Sequence, residues 1–157
     1  MDNRSALETA VNLWISDEST ATSTYGDINT WDVSAITDFS NLFENKTTFN
    51  SDKGNWDVSN GIDFRHMFSG ARAFNQDIGS WDVGSATNFQ EMFENTTFNQ
   101  DIGSWDVSNV TDVSQMFSGS EFNQDIGSWD VSNVTDFSWM FNTTDFFNQD
   151  LGSWNVS

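Results

Sequence analysis

Six tryptophans, Trp31, Trp56, Trp81, Trp105, Trp129 and Trp154, recur at intervals of 25, 25, 24, 24 and 25 residues. Asp-Val follows each of the first five, and Asn-Val follows the last. A fixed period of about 20 to 50 residues marks stacked repeats, in which one unit cannot bury its apolar face alone and its neighbours complete the core. The period accounts for nearly everything from Asp27 onward. It also means that a residue seen five times can be architecture rather than a site.

The clearest unit spans Phe122 to Phe141, Phe-Asn-Gln-Asp-Ile-Gly-Ser-Trp-Asp-Val-Ser-Asn-Val-Thr-Asp-Phe-Ser-Trp-Met-Phe. In its first half Ile126, Trp129, Val131 and Val134 are the apolar positions, and Trp-Asp-Val-Ser alternates as a half-buried strand does. In its second half Phe137, Met140 and Phe141 stand at i, i+3 and i+4, the stripe of one helical turn, with Asp136 placed as its N-cap. The returning Phe49, Phe74, Phe98, Phe122 and Phe147 are expected to re-enter the core. Gly54, Gly79, Gly103, Gly127 and Gly152 suit a bend of unusual φ. The pattern therefore predicts a leucine-rich-repeat-like solenoid, with a parallel β-sheet on one face and short helical turns on the other.

Residues 1–24 lie outside the period. Ser5-Ala6-Leu7-Glu8 has the form of a capping box, and Leu7, Ala10, Val11 and Trp14 make one apolar helical face. A repeat stack needs an atypical end unit, so this segment is predicted to be an N-terminal capping helix, with residues 17–23 as a polar connector. The expected division is 1–24 for cap and connector, and 25–157 for about five repeats with a partial sixth.

Acids outnumber bases 24 to 5, giving a net charge of −19. A surface so negative argues against nucleic acid, whose phosphates need basic patches, and against anionic membrane surfaces. It favours cations or cationic partners. There is no Cys, hence no disulfide and no thiolate chemistry. No apolar run is long enough to insert across a bilayer, and the first residues lack a signal pattern.

If Trp and Val point inward on a strand, the Asp between them points outward. This makes a column of Asp32, Asp57, Asp82, Asp106 and Asp130, flanked by Ser80, Ser104 and Ser128 on one side and Ser108 and Ser132 on the other. Like charges about 4.8 Å apart on adjacent strands repel by roughly 0.9 kcal/mol per pair in water, so the column is expected either to be neutralised by a cation or partner or to splay as a solvated face. Further columns are Asp77, Asp101, Asp125 and Asp150, extended by Asp27 and Asp52, and Asp38, Asp63, Asp112 and Asp136. Ca²⁺ is a candidate ligand for the Asp77 or the Asp82 column, since it takes six to eight oxygens. The competing expectations are local: Asp38-type residues as helix caps, and Asp77-type residues on the backbone of the following Gly turn. The sole His66 has no nucleophile and acid at catalytic spacing.

The unit quoted above, and the leader from Ala6 to Ile28, resemble the BspA-like leucine-rich-repeat surface proteins, a repeat long catalogued as a domain of unknown function. The resemblance covers nearly the whole chain. It implies an extracellular or cell-surface adhesion-type protein and supplies no catalytic residues. The expected function is a non-catalytic binding module that uses the Ser-Asp-Ser face against a protein or glycan on another surface. A structural stalk of a larger surface protein and a Ca²⁺-dependent binding module are the alternatives. Trp154 has no following coil, so end-to-end self-association is a further expectation.

Overall fold

The computed structural model describes residues 1–156; Ser157, the last residue of the expected array, lies outside the described residues. Two helices come first, α1 over Arg4–Ser16 and α2 over Glu18–Tyr25, followed by one 3₁₀ turn at Ile28–Thr30. The remainder is a stack of five irregular coils, residues 27–51, 52–76, 77–100, 101–124 and 125–149.

The expected sheet does not form. Among the described residues the only β pairing is a set of isolated parallel bridges linking Asp38, Asp63, Asn88, Asp112 and Asp136 in series. The Trp-Asp-Val segments lie between reverse turns, such as Trp81 N–H to Ile78 O at 3.1 Å and Ala86 N–H to Val83 O at 2.8 Å. Successive segments meet through rings instead of backbone. The Trp31–Trp56 and Trp129–Trp154 rings stack with their centroids 6.4 and 6.5 Å apart. From Trp56 to Trp154 the indole N–H reaches back to a carbonyl one coil earlier, as Trp81 does to Lys53, Trp105 to Ile78 and Trp129 to Ile102, at 3.0, 3.2 and 3.1 Å. The leucine-rich-repeat-like parallel-β solenoid is therefore corrected to a sheetless stack of coils.

The expected helical turns are also absent, for a related reason. The N–H groups of Phe39, Asn41, Phe43 and Asn45 donate to Asp63, Arg65, Met67 and Ser69 of the next coil, at 2.7–3.0 Å. The same four-bond ladder recurs at each later junction. Intervening N–H groups close three-residue turns, for example Met67 to Phe64 and Ser69 to His66, each 3.1 Å. An α-helix would send every N–H to its own i−4 carbonyl. The alternation here depends on two left-handed residues per coil, four apart: Asn41 and Asn45, His66 and Gly70, Glu91 and Asn95, Gln115 and Gly119, Trp139 and Thr143. Left-handed φ costs a non-glycine residue roughly 1–2 kcal/mol, and ladder bonds worth about 0.5–1.5 kcal/mol each offset it. The i, i+3, i+4 stripe is satisfied all the same, since Phe39, Leu42 and Phe43 are all buried.

The core is a set of aromatic columns. Phe68 lies on Phe74 within its own coil at 3.8 Å, and on Phe43 and Phe93 of the flanking coils at 5.4 and 5.8 Å. Gly79, Gly103 and Gly127 are there for space rather than φ. A Cβ on Gly79 would sit 2.5 Å from the Asp101 carbonyl oxygen of the next coil, and positive φ among glycines is confined to Gly26, Gly70 and Gly119.

At the N-terminal end, α1 buries Leu7, Ala10, Val11 and Trp14. Its cap is Asn3, whose side chain accepts from Ala6 N–H at 2.9 Å; Ser5 and Glu8 lie inside the helix and form no capping box. The expected connector is helical, because Asp17 caps α2 by accepting from Thr20 N–H at 3.0 Å. Trp14 meets Trp31 edge-on at 5.8 Å, and the Arg4 guanidinium donates to Ser40 O at 2.7 Å.

Candidate functional site

All three acid columns do the same local work. Asp32, Asp57, Asp82, Asp106 and Asp130 each accept, through Oδ1, the backbone N–H two residues on, at 3.0–3.1 Å. Asp77, Asp101, Asp125 and Asp150 hold the N–H of Gly79, Gly103, Gly127 and Gly152 at 2.8–2.9 Å. Asp38, Asp63, Asn88, Asp112 and Asp136 repeat the arrangement at the ladder's entry, at 2.8–3.0 Å. Each coil thus has three corners, and at each an Asp or Asn side chain fixes a turn as such side chains do when they bind backbone two residues ahead. The Asp38-type residues cap turns, not helices. Asn88 shows that the charge is dispensable for this task.

The flanking serines are engaged as well. Ser108 Oγ donates to Asp106 Oδ1 at 2.6 Å. Ser80, Ser104 and Ser128 donate to the carbonyls of Gly54, Gly79 and Gly103 in the preceding coil, at 3.3, 3.3 and 3.1 Å. Hydroxyl donation, seconded by the backbone N–H, holds the carboxyls of Asp32, Asp57, Asp106 and Asp130 below the usual carboxylate range. The neighbouring carboxylates Asp32 and Asp106 push Asp57 and Asp130 back upward, but this ranks below the hydrogen bonds. At Asp57 and Asp130 the local hydrogen bonds thus outweigh the repulsion from the neighbouring carboxylate.

Among the described residues no group of three or more acidic or His side chains is placed to hold a metal ion. The Asp77 and Asp82 columns are spread along the stack and do not converge on a Ca²⁺ position. A cavity of about 290 Å³ on an outer corner is lined by Arg72, Asn95, Thr96, Thr97, Gly119 and Glu121, none of them a predicted site residue. His66 Nδ1 lies 3.1 Å from Glu91 Oε2, and Gln115 Nε2 donates to the other Glu91 oxygen at 3.1 Å. Partial burial raises the Glu91 carboxyl above its ordinary value, with His66 acting against the rise and Glu94 adding to it.

Lys53 was not anticipated. It occupies the position held by Ile78, Ile102 and Ile126 in later coils and is fully buried. Its ammonium donates to the Ser51 and Asp52 carbonyls at 3.2 and 3.1 Å and lies over the Phe49, Trp56 and Phe43 rings at 4.5, 5.5 and 5.6 Å. Burial pushes its pKa down from 10.5 to about 7, against the opposing pull of Asp52, Asp27 and Glu18. Aligning Asp52-Lys53-Gly54 with Asp77-Ile78-Gly79 is the signal that would have found it.

Among the described residues no helix is long and apolar enough to cross a membrane. No curated protein and no solved structure matches the chain. A family match spans the three corners of nearly every coil, over residues 15–121 and again over 94–157. On that coverage the chain belongs to the family described as Mycoplasma protein of unknown function, DUF285.

Proposed function

We propose that this chain is a non-catalytic structural module, a stacked-coil spacer within a larger extracellular or cell-surface protein. The observation that carries the proposal is the commitment of the Ser-Asp-Ser columns to the chain's own backbone. Residues picked as a ligand face, such as Asp106, Ser108 and Ser128, are engaged in turn and coil-to-coil hydrogen bonds. A face that repeats with the period, and holds the coils in register, is what a spacer requires. The likeness of the Phe-Asn-Gln-Asp-Ile-Gly-Ser-Trp-Asp-Val unit to BspA-like surface proteins supports the extracellular placement.

One observation favours a second reading. Each corner carboxylate uses Oδ1 on its turn, and the Asp32-to-Asp130 column is exposed, with Asp32, Asp57, Asp106 and Asp130 held below the usual carboxylate range, so a cationic protein or glycan-bearing partner has a stripe to engage. A triple variant, Asp82→Asn, Asp106→Asn and Asp130→Asn, separates the two, because Asn keeps the turn, as Asn88 does. Wild type and variant are compared on protein and glycan arrays. The spacer reading expects no saturable ligand for either. A ligand held by the wild type and lost by the variant overturns it in favour of binding.

A further inference from the structure

An asparagine amide clamps the second, fourth and fifth coils to the coil before. Asn60, Asn109 and Asn133 each donate through Nδ2 to a backbone carbonyl there, Ser34 O, Gly84 O and Ser108 O, at 2.9, 2.8 and 2.7 Å. In each case the next residue closes a reverse turn: Gly61 N–H to Val58 O at 2.7 Å, Val110 N–H to Val107 O at 2.9 Å, and Val134 N–H to Val131 O at 3.0 Å. The geometry is shared, and the chemistry is not. Asn60-Gly61 is the one Asn-Gly step in the chain, whereas Asn109 and Asn133 precede Val.

That glycine is held by packing. Ile36, Ala86, Val110 and Val134 fill the equivalent position in the other coils. At Gly61 the Phe64 ring takes the room, and a Cβ there would lie 2.4 Å from Phe64 Cζ. An Asn side chain followed by Gly is open to attack by the next backbone nitrogen, because no Cβ shields that nitrogen and the backbone turns freely. The branched Cβ of Val hinders the same approach. In the fold both reacting nitrogens of Asn60-Gly61 are engaged: the Gly61 N–H is committed to Val58 O, and the Asn60 amide to Ser34 O.

We propose that Asn60-Gly61 is a deamidation site guarded by the clamp, so that parting of the first and second coils exposes it to an irreversible change. Gly61 N loses its proton to solvent and bonds to Asn60 Cγ. Nδ2 leaves as ammonia, and a succinimide ring closes. Water then opens the ring at either carbonyl, leaving Asp or isoAsp with no change of oxidation state. The product has lost its donor to Ser34 O and sets a new carboxylate against that carbonyl. Asp57, whose carboxyl already feels Asp32, lies close by in the sequence. An opening of this junction is thereby recorded permanently, while the matching clamps at Asn109 and Asn133 re-form unchanged.

The test incubates the full chain in mildly alkaline buffer, native and in urea. Mass spectrometry follows each Asn-containing peptide, with isoAsp and Asp separated by chromatography. In urea, Asn60 is expected to convert first, about tenfold or more faster than Asn109 and Asn133. In the native protein its conversion is expected to slow about tenfold or more, because it waits on local opening. The isolated product, and separately Asn60→Asp, should then exchange about three- to tenfold faster at Phe39 and Ile62, whose N–H groups bond across this junction at 2.8 Å each. Equal native and urea rates at Asn60 overturn the proposal, because the clamp then guards nothing. Asn109 or Asn133 keeping pace in urea overturns it as well, and so does undiminished protection at Phe39 and Ile62 in the isolated product.

Discussion

The two ends of the stack begin from the same aromatic coil and finish differently. At the first, Trp14 and Trp31 are 6% and 5% exposed, and α1 supplies both an apolar face and a guanidinium donor for an outlying carbonyl. At the last, Trp154 stacks on Trp129 at 6.5 Å and has one face uncovered. The contrast teaches what the leader adds: residues outside the period cover the first coil's rings and one of its carbonyls, whereas Phe137, Phe141 and Phe147 of the fifth coil are only partly buried. The sealed end also holds Lys53, among the described residues the one charged side chain buried in the core, one coil in from the helices.

The broadest way to break this comparison is to truncate the terminal tryptophans. Trp14→Ala removes a buried indole that packs on Trp31 and donates to Ser51 Oγ at 3.1 Å, and is expected to destabilise by about 3–5 kcal/mol. Trp154→Ala, at a surface already half open, is expected to cost under about 1.5 kcal/mol. Denaturant titration measures both, with hydrogen exchange to localise the effect, because stacked repeats can unfold in parts. Equal losses at the two ends would mean that the open edge is covered in solution.

Lys53→Ile sharpens the comparison in the other direction. A lysine pushed from 10.5 to about 7 destabilises the native state by roughly 3–5 kcal/mol at neutral pH, and Ile restores what later coils carry at that position. A net gain of about 2–4 kcal/mol is expected once the lost carbonyl and ring contacts are discounted. Below about pH 7 both folded and unfolded states hold the proton and the penalty is complete; above about 10.5 neither does and it is gone. Wild-type stability should therefore rise between those limits, and the rise should vanish in Lys53→Ile. Melting curves across that range are the measurement.

Much of this was legible in the sequence, and the rest was not for identifiable reasons. The period, the buried face of α1 and the re-entry of Phe74 and Phe98 follow from spacing alone. Backbone pairing does not, because Phe39, Leu42 and Phe43 at i, i+3 and i+4 bury equally well on a helix or on a ladder of turns. Of the two left-handed positions per coil, the second was legible, since Asn45, Gly70, Asn95 and Gly119 favour positive φ; the first was not, since Glu91, Gln115 and Trp139 do not. Trp-Asp-Val alternates as a strand does, but in the fold its Asp takes the backbone N–H two residues on and the segment lies between reverse turns. The acid columns were seen, but a carboxylate that binds a turn and one that binds a ligand look alike in sequence.

A paired glycine substitution probes the open edge at a smaller scale. Gly79→Ala places a Cβ 2.5 Å from the Asp101 carbonyl oxygen, which can yield only by moving the next coil, so a loss of about 1–3 kcal/mol is expected. Gly152→Ala meets only its own coil's Asp150 Oδ1 at 3.0 Å and should stay within about 0.5 kcal/mol. Thermal melts compare them. A Gly152→Ala loss that matches Gly79→Ala would show a further coil already seated on the edge.

The subtlest difference between the ends is electrostatic. Asp32 and Asp130 make the same turn, each lowered chiefly by the serine hydroxyl two residues on and then by its backbone N–H. Asp32 gains a further lowering from the Met1 ammonium, which also donates to Asp32 O, whereas Asp130 is pushed upward by Asp106. Asp32 should therefore titrate at the lower pH of the two in a ¹³C carboxyl titration, and acetylating the N-terminus should narrow the gap. Both carboxyls are lowered on folding, so their stabilisation is present above the ordinary carboxylate range and is lost as pH falls through their folded values. Acid unfolding should accordingly begin at the open end, where Asp130 takes up its proton first. If exchange protection in acid is lost at the first coil before the fifth, the carboxylate corners do not set the order, and the burden shifts to Lys53, which is fully charged throughout that range.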